Sequence, residues 1–190
     1  PKTVTLTVTG TNDQPIVSDV DVGSGVSENA TYTNESDYPI YDYHTTLSTI
    51  DVESGADITD LNVQIDLNHT FDGDLIIKLI APDGTIISLA SGIGSSGNNY
   101  QDTTFDDEAN SNIGSGTPPY IGTYRPEGDL SVLDDIDSAG TWTLSIYDRW
   151  GGDSGTLDYW SLHFTTDSGE ELVYEVDGVD EVYSGTLLVT

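Results

Sequence analysis

Leu61-Asn62-Val63-Gln64-Ile65-Asp66-Leu67-Asn68-His69-Thr70-Phe71-Asp72-Gly73-Asp74-Leu75 decides the fold class. Leu61, Val63, Ile65 and Leu67 alternate with Asn62, Gln64 and Asp66, the period of an extended strand with one apolar and one polar face. The run then breaks at Asp72-Gly73-Asp74, residue types that favour a turn because glycine frees the backbone and aspartate bonds its own main chain. Leu75, Ile77 and Leu79 resume the alternation, and Pro82-Asp83-Gly84 predicts a reversal into Ile86 to Leu89, a hairpin.

The same period of two recurs outward in both directions. Val4, Leu6 and Val8 alternate with threonines, Trp142, Leu144 and Ile146 with Thr141, Thr143 and Ser145, and Trp160, Leu162 and Phe164 with Ser161 and His163. Leu172, Tyr174 and Val176 predict a further strand, and Thr186 to Val189 a last one. No helical stripe of useful length occurs, so many short strands with Gly-rich turns predict an all-β, two-sheet sandwich. The stretch from Ser91 to Ser131 is expected as a long loop that is functional or held down by ligands, since such loops are otherwise uncommon in a compact domain.

Composition divides the chain into three. Residues 38–166 hold all of the tryptophans and read as the sandwich. Residues 1–30 read as a repeat-junction strand and linker, and residues 167–190 as the C-terminal strands of a flanking repeat. The chain begins with Pro and has no Met, so it is expected to be an internal piece of something larger.

Charge removes several function classes. There are 34 Asp and Glu against 4 Lys and Arg, a formal net charge of -30. No basic patch exists to displace counterions from nucleic acid or to dock on an anionic membrane. No apolar run approaches the roughly 18 residues that span a bilayer. Disorder is the other reading of such acidity, but 35% hydrophobic residues in alternating runs argue for a folded chain. Self-repulsion should make that folding depend on salt or bound cations. A salt-adapted host would also account for the acidity. With no Cys, disulfides and thiol chemistry are excluded, and metal ions are the staple expected instead.

Three acidic turns carry the candidate chemistry: Asp72-Gly73-Asp74, Phe105-Asp106-Asp107, and Asp148 through Gly155. Asp74, Asp106, Asp107, Asp148 and Asp153 fall in turns or at strand ends, where backbone carbonyls are also free. Calcium takes 6–8 oxygen ligands of this kind and tolerates irregular loops. Without a cation, two carboxylates about 4 Å apart repel by roughly 4 kcal/mol at an effective dielectric near 20. Spacing alone leaves two readings open, a calcium site or Asx-turns facing water, because no EF-hand-like loop closes with a Glu.

Enzyme signals are weaker. Gly152-Asp153-Ser154-Gly155 has no separate context that places a His and an Asp around Ser154. Gly92-Ile93-Gly94-Ser95-Ser96-Gly97 fits G-x-G-x-x-G, but no helix follows to receive a phosphate. His44, His69 and His163 share no metal-ligand spacing, and His69 is expected to be a structural hydrogen-bonding residue. Paired acids could serve glycoside hydrolysis, but a calcium site opposes the raised pKa a proton donor needs. No catalytic activity is expected.

The run Val63 to Leu75, followed by Leu79-Ile80-Ala81-Pro82-Asp83-Gly84-Thr85, resembles the start of the P-domain of the proprotein convertases, the P/Homo B domain that follows kexin- and furin-type subtilases. The likeness continues through Thr104-Phe105-Asp106-Asp107-Glu108-Ala109 and Gly116-Thr117-Pro118-Pro119-Tyr120. It ends with Gly140-Thr141-Trp142-Thr143-Leu144, Asp148, Gly152-Asp153, Gly155-Thr156-Leu157 and Trp160-Ser161-Leu162. The resemblance implies a jelly-roll, galactose-binding-like β-sandwich, here with extra flanking strands, and Ca2+ bound by Asp74, Asp106, Asp107, Asp148 and Asp153, with Asp72 in second rank. The three turns are then expected to share one calcium site.

The flanks are similar to something else. Val4-Thr5-Leu6-Thr7-Val8-Thr9-Gly10-Thr11-Asn12-Asp13-Gln14-Pro15 resembles the junction of VCBS and cadherin-like repeats in bacterial adhesins of the RTX type, and Val26-Ser27-Glu28-Asn29 and Ser184-Gly185-Thr186-Leu187 resemble further pieces. That resemblance adds Asn12, Asp13 and Glu28 as weak metal candidates. The resulting expectation is a non-catalytic, calcium-binding module of a large bacterial surface adhesin, extracellular and monomeric. It would bind neighbouring domains of its own chain and a carbohydrate or peptide on a host or biofilm surface. Tyr100, Tyr120, Tyr124, Trp150 and Tyr159 are the aromatics that could form the platform, or pack the long loop instead. The alternative is a P-domain stabilising an adjacent subtilisin-like protease domain.

Overall fold

A computed structural model of the chain describes residues 3–9, 27–167 and 182–188. They fall into two units, one within 1–26 and 168–190 and the other Ser27–Asp167. In the first, strand β1 (Thr3–Thr9) pairs antiparallel with β12 (Val182–Leu188), Thr3 opposite Leu188 and Thr9 opposite Val182. The two flanks that composition keeps apart therefore pair with each other. The strand expected around Leu172 to Val176, and Asn12 and Asp13, lie outside the described residues.

The second unit is a two-sheet sandwich. Its strands are β2 (Ser27–Asn34), β3 (Tyr38–Ile40), β4 (Thr45–Val52), β5 (Asp57–His69), β6 (Leu75–Ile80), β7 (Ile86–Ser91), β8 (Tyr100–Phe105), β9 (Gly122–Tyr124), β10 (Gly140–Asp148) and β11 (Gly155–Asp167). One sheet runs β4-β10-β6-β7 and the other β2-β11-β5-β8-β9, with β3 sharing the β2 side of β11. Neighbours are antiparallel apart from β8 and β9.

The inward faces are those the alternation predicts. Leu61, Val63, Ile65 and Leu67 of β5 are buried, as are Trp142, Leu144 and Ile146 of β10 and Trp160, Leu162 and Phe164 of β11. Trp142 and Phe164 meet across the two sheets at 5.3 Å between ring centroids. Both buried indoles are satisfied: Trp142 Nε1 donates to the Ser138 carbonyl (2.9 Å) and Trp160 Nε1 to Ser48 Oγ (2.8 Å). Truncating Ile65 to Ala would leave a cavity costing about 2–5 kcal/mol. The predicted hairpin is β6–β7; Gly84 at its turn has φ +91, and the Asp83 carboxylate accepts from the Thr85 N–H (2.8 Å).

Two expectations differ from the structure. β2 lies ahead of the boundary drawn at residue 38, yet it pairs with β11 from Asn34 opposite Trp160 to Ser27 opposite Asp167, so the sandwich begins at Ser27. As an edge strand it needs few apolar residues, and Tyr32 is its main anchor, edge-on to Phe164 at 6.0 Å. Within Ser91 to Ser131, residues Tyr100–Phe105 form a strand rather than loop. A register shift against β5 and the positive φ of Asp102 (+45) spoil its alternation in sequence. The remainder is held by the protein itself: Ile113 and Tyr120 are buried, and Thr103 Oγ1 donates to the Tyr120 carbonyl at 2.9 Å.

Strand pairing also fixes where the acidic turns lie. Asp148 ends β10 opposite Leu75, the residue after Asp74. His69 ends β5 opposite Gly155, next to Asp153. Phe105 pairs instead with Val63, so Asp106 and Asp107 lie toward the start of β5.

Candidate functional site

Asp72-Gly73-Asp74 makes one turn of 3-10 helix before β6, and its two carboxylates face different surroundings. Asp74 is 8% exposed, and its carboxyl is pushed up by burial and by the Asp148 and Asp153 carboxylates, with His69 and Arg149 offsetting part of the shift. Asp148 is fully buried: Oδ1 accepts from the Trp150 N–H (3.1 Å), and Oδ2 stands 3.4 Å from His69 Nε2. His69 Nδ1 lies 3.0 Å from the Phe71 carbonyl oxygen and 3.2 Å from the Phe71 backbone nitrogen. Asp153 accepts from Thr70 Oγ1 at 2.9 Å. Arg149 donates from Nη2 to the Gly73 carbonyl (2.7 Å) and from its backbone N–H to the Asp74 carbonyl (3.1 Å).

The structure thus brings the turns of Asp74, Asp148 and Asp153 to one end of β5. It adds His69 and Arg149, which supply partners from within the protein. Arg149 escapes a sequence reading that looks for acids, although its position directly after Asp148 is a local signal.

Asp106 and Asp107 belong elsewhere. Asp106 Oδ1 accepts from the Glu108 N–H (2.7 Å), and Asp107 Oδ2 from the Ser131 N–H (2.7 Å). Thr59, Asp60, Leu61, Asp107, Glu108, Leu130, Ser131 and Asp134 line a small pocket here. Burial first, then neighbouring acids, push Asp60 and Asp134 up; burial also raises Asp107, beside Asp129. Glu108 is raised first by its hydrogen bond with Asp106. Asp129 is held low by donation from Ser131. Asp60, Glu108 and Asp134 are not singled out by the sequence: Asp60 passes for the solvent face of a strand, and its neighbours come from segments distant in the chain.

Six residues of β5 separate Val63, beside Phe105, from His69, beside Gly155, which at ~3.3 Å per residue is roughly 20 Å. One calcium cannot reach both groups, so the shared site expected from the three turns is replaced by two separate carboxylate groups. Among the described residues, no group of three or more His, Asp or Glu side chains is placed to hold a metal ion. Glu28, the weak candidate on β2, is exposed and pairs through its backbone with Thr166.

The proposed aromatic platform is mostly core. Tyr100 and Tyr120 are buried and stacked at 4.7 Å, with Tyr124 edge-on to Tyr120 at 6.3 Å. Trp150 is 58% exposed, and Tyr41 and Tyr43 are exposed as well.

Comparison with known proteins supplies the family. A family model described as the proprotein convertase P-domain matches residues 58–164, which run from β5 into β11. The transglutaminase-activating metalloprotease of Streptomyces mobaraensis is 30% identical over 111 residues, 58% of this chain and 11% of that protein. Leupeptin-inactivating enzyme 1 of Streptomyces exfoliatus is 26% identical over 137 residues, 72% of this chain and 25% of that protein. Among solved structures, the serine protease of Aeromonas sobria aligns with a TM-score of 0.50 at 18% identity, over 82% of this chain and 28% of that one, a likeness of fold. The chain therefore spans about a tenth and a quarter of the curated relatives it matches. These findings overturn the adhesin expectation, since the relatives include a metalloprotease and the matching family is that of a protease-associated domain.

Proposed function

The chain belongs to the proprotein convertase P-domain family, and on that premise we propose that it is a non-catalytic accessory module that stabilises an adjoining protease domain. The observation that carries this reading is the family match over 58–164, the heart of the sandwich. Its site chemistry agrees with a supporting role. The one histidine–carboxylate pair among the described residues, His69 and Asp148, is sealed from solvent, so neither group can meet a substrate. No helix among the described residues is long and apolar enough to cross a membrane, and the proposed setting is outside the cell. The paired flanks, β1 and β12, fit a β-repeat of the VCBS or cadherin-like kind into which the sandwich is set.

Calcium forms part of the proposal. The pocket of Asp60, Asp107, Glu108 and Asp134 fits a hard cation: four carboxyls are raised together, and no basic side chain lines the pocket. Bound calcium would neutralise that repulsion and tie β5 to the turns around Asp107 and Ser131. At the Asp74 end, His69 and Arg149 already provide part of this compensation.

The test is made on the parent polypeptide, with and without residues 27–167. Loss of the domain should shorten the half-life of its protease activity at raised temperature; an unchanged half-life would end the reading.

A further inference from the structure

Asp72 is fully buried, and neither of its carboxylate oxygens has a hydrogen-bond partner. The Tyr100 hydroxyl, on a residue equally buried, has none either. The turn that carries Asp72 is covered by residues 92–99: Asp72 N–H donates to the Gly97 carbonyl (2.8 Å), Gly73 N–H to that of Ser95 (2.9 Å) and Gly97 N–H to that of Gly94 (2.8 Å). Gly94 has φ +88, and a Cβ there would stand 2.7 Å from the Tyr120 hydroxyl and 2.9 Å from Asp72 Cβ. This is the G-x-G-x-x-G run: its glycine serves a close approach to a carboxylate rather than to a phosphate. The Asp72 carboxylate contributes, after burial, to raising both stacked phenols, Tyr120 to about 12. A carboxylate, two phenols and a carbonyl-rich loop therefore meet in one enclosed place.

Something must answer that carboxylate. An unpaired buried charge costs several kcal/mol, on the order of the whole stability of a small domain. None of the described cations, Lys78, Arg125 and Arg149, hydrogen-bonds to it. Burial lifts the carboxyl to about 7, the nearby Asn99 N–H, which is spent on the His69 carbonyl, offsetting a little. Valence follows from charge balance: one carboxylate among neutral oxygens matches one positive charge, and a divalent ion would leave an excess buried.

We infer that the Asp72 carboxylate and the Tyr100 and Tyr120 hydroxyls, under the loop of residues 92–97, form an internal site for one alkali cation. The site is separate from the carboxylate pocket at Asp107 and independent of the protease-accessory reading. Its role is to lock the 92–99 loop onto the Asp72 turn.

The test is thermal unfolding of the full chain at saturating calcium and fixed ionic strength, in sodium, potassium or N-methylglucamine chloride. Sodium or potassium should raise the melting temperature over N-methylglucamine, and Asp72→Asn should erase that difference and melt lower than the native chain in the alkali salt. Tyr100→Phe keeps the carboxylate and should weaken the apparent alkali affinity roughly tenfold, the scale of one hydrogen-bonding group lost from a charge. Broadening of the 23Na resonance by the native chain, reduced by Tyr100→Phe, reads the same site if Asp72→Asn fails to fold. Equal melting in all three salts would overturn the proposal. So would a salt difference that survives Asp72→Asn, or an Asp72→Asn chain that melts higher in sodium, the mark of an unpaired charge relieved.

Discussion

The two ends of β5 handle the same problem in opposite ways. At its C-terminal end, Asp74, Asp148 and Asp153 are drawn in with His69 and Arg149, and Asp148 is closed off from water. At its N-terminal end, Asp60, Asp107, Glu108 and Asp134 line an open pocket with no positive side chain. Both ends share a sequence signature of Asp in turns beside strands. The difference lies in what packs against those turns: one end has Arg149 beside its acids, and the other has no basic side chain in its pocket.

The largest effect that can break this contrast is at the closed end. Asp148→Ala takes the carboxylate from beside the His69 ring and from the Trp150 N–H and should cost about 3 kcal/mol, the upper end for a buried donor left without its acceptor, read by urea unfolding, and the loss should be the same with and without calcium. A calcium-dependent loss would mean that this end also relies on an outside ion. Next in size is calcium removal: at free calcium 100 times the dissociation constant, one site adds about 2.7 kcal/mol. A chelator, with ionic strength held constant, should lower the melting temperature accordingly, and an unchanged melt would sink the calcium reading. Asp107→Asn should then leave a chain indifferent to chelator, whereas Asp153→Asn should keep most of the response.

A smaller effect sharpens the contrast through pH. Asp60, Asp107, Glu108 and Asp134 hold protons more tightly in the folded state than a free carboxyl does, chiefly through burial and neighbouring acids. Folded pKa values above the unfolded ones mean that stability is full below the ordinary carboxylate range and falls as pH rises through the raised values. Melting curves of the calcium-free chain should show that decline, and added calcium should flatten it. The smallest expected change is Ser154→Ala, within about 0.5 kcal/mol in stability, and without effect on any peptidase activity of the parent. Lost activity in that variant would reopen a catalytic reading.

Sequence carried the sandwich because its strands are buried on one face. Leu61 to Leu67, Trp142 to Ile146 and Trp160 to Phe164 each declare that face by alternation, whatever the rest of the chain does. β2 was not legible: an edge strand with Glu28, Asn29 and Thr31 looks like linker until β11 is seen beside it. The site divided along the same line. Asp74, Asp148 and Asp153 converge because two strand pairings bring their turns to one end. Asp106 and Asp107 share their composition but not their location, and only the register of β8 on β5 tells the two apart. Asp72 stands beside Asp74 in sequence yet faces Gly94 and the stacked tyrosines, a divergence within a single 3-10 turn that no spacing rule anticipates.

The pairing of β1 with β12 has a mechanical meaning. Thr3 and Leu188 face each other at one end of a two-stranded ribbon, and Thr9 and Val182 at the other. Tension applied at residues 3 and 188 pulls along the inter-strand hydrogen bonds rather than across them, because those bonds run perpendicular to antiparallel strands. The pairs then open one after another, each bearing the load alone, instead of all resisting in shear.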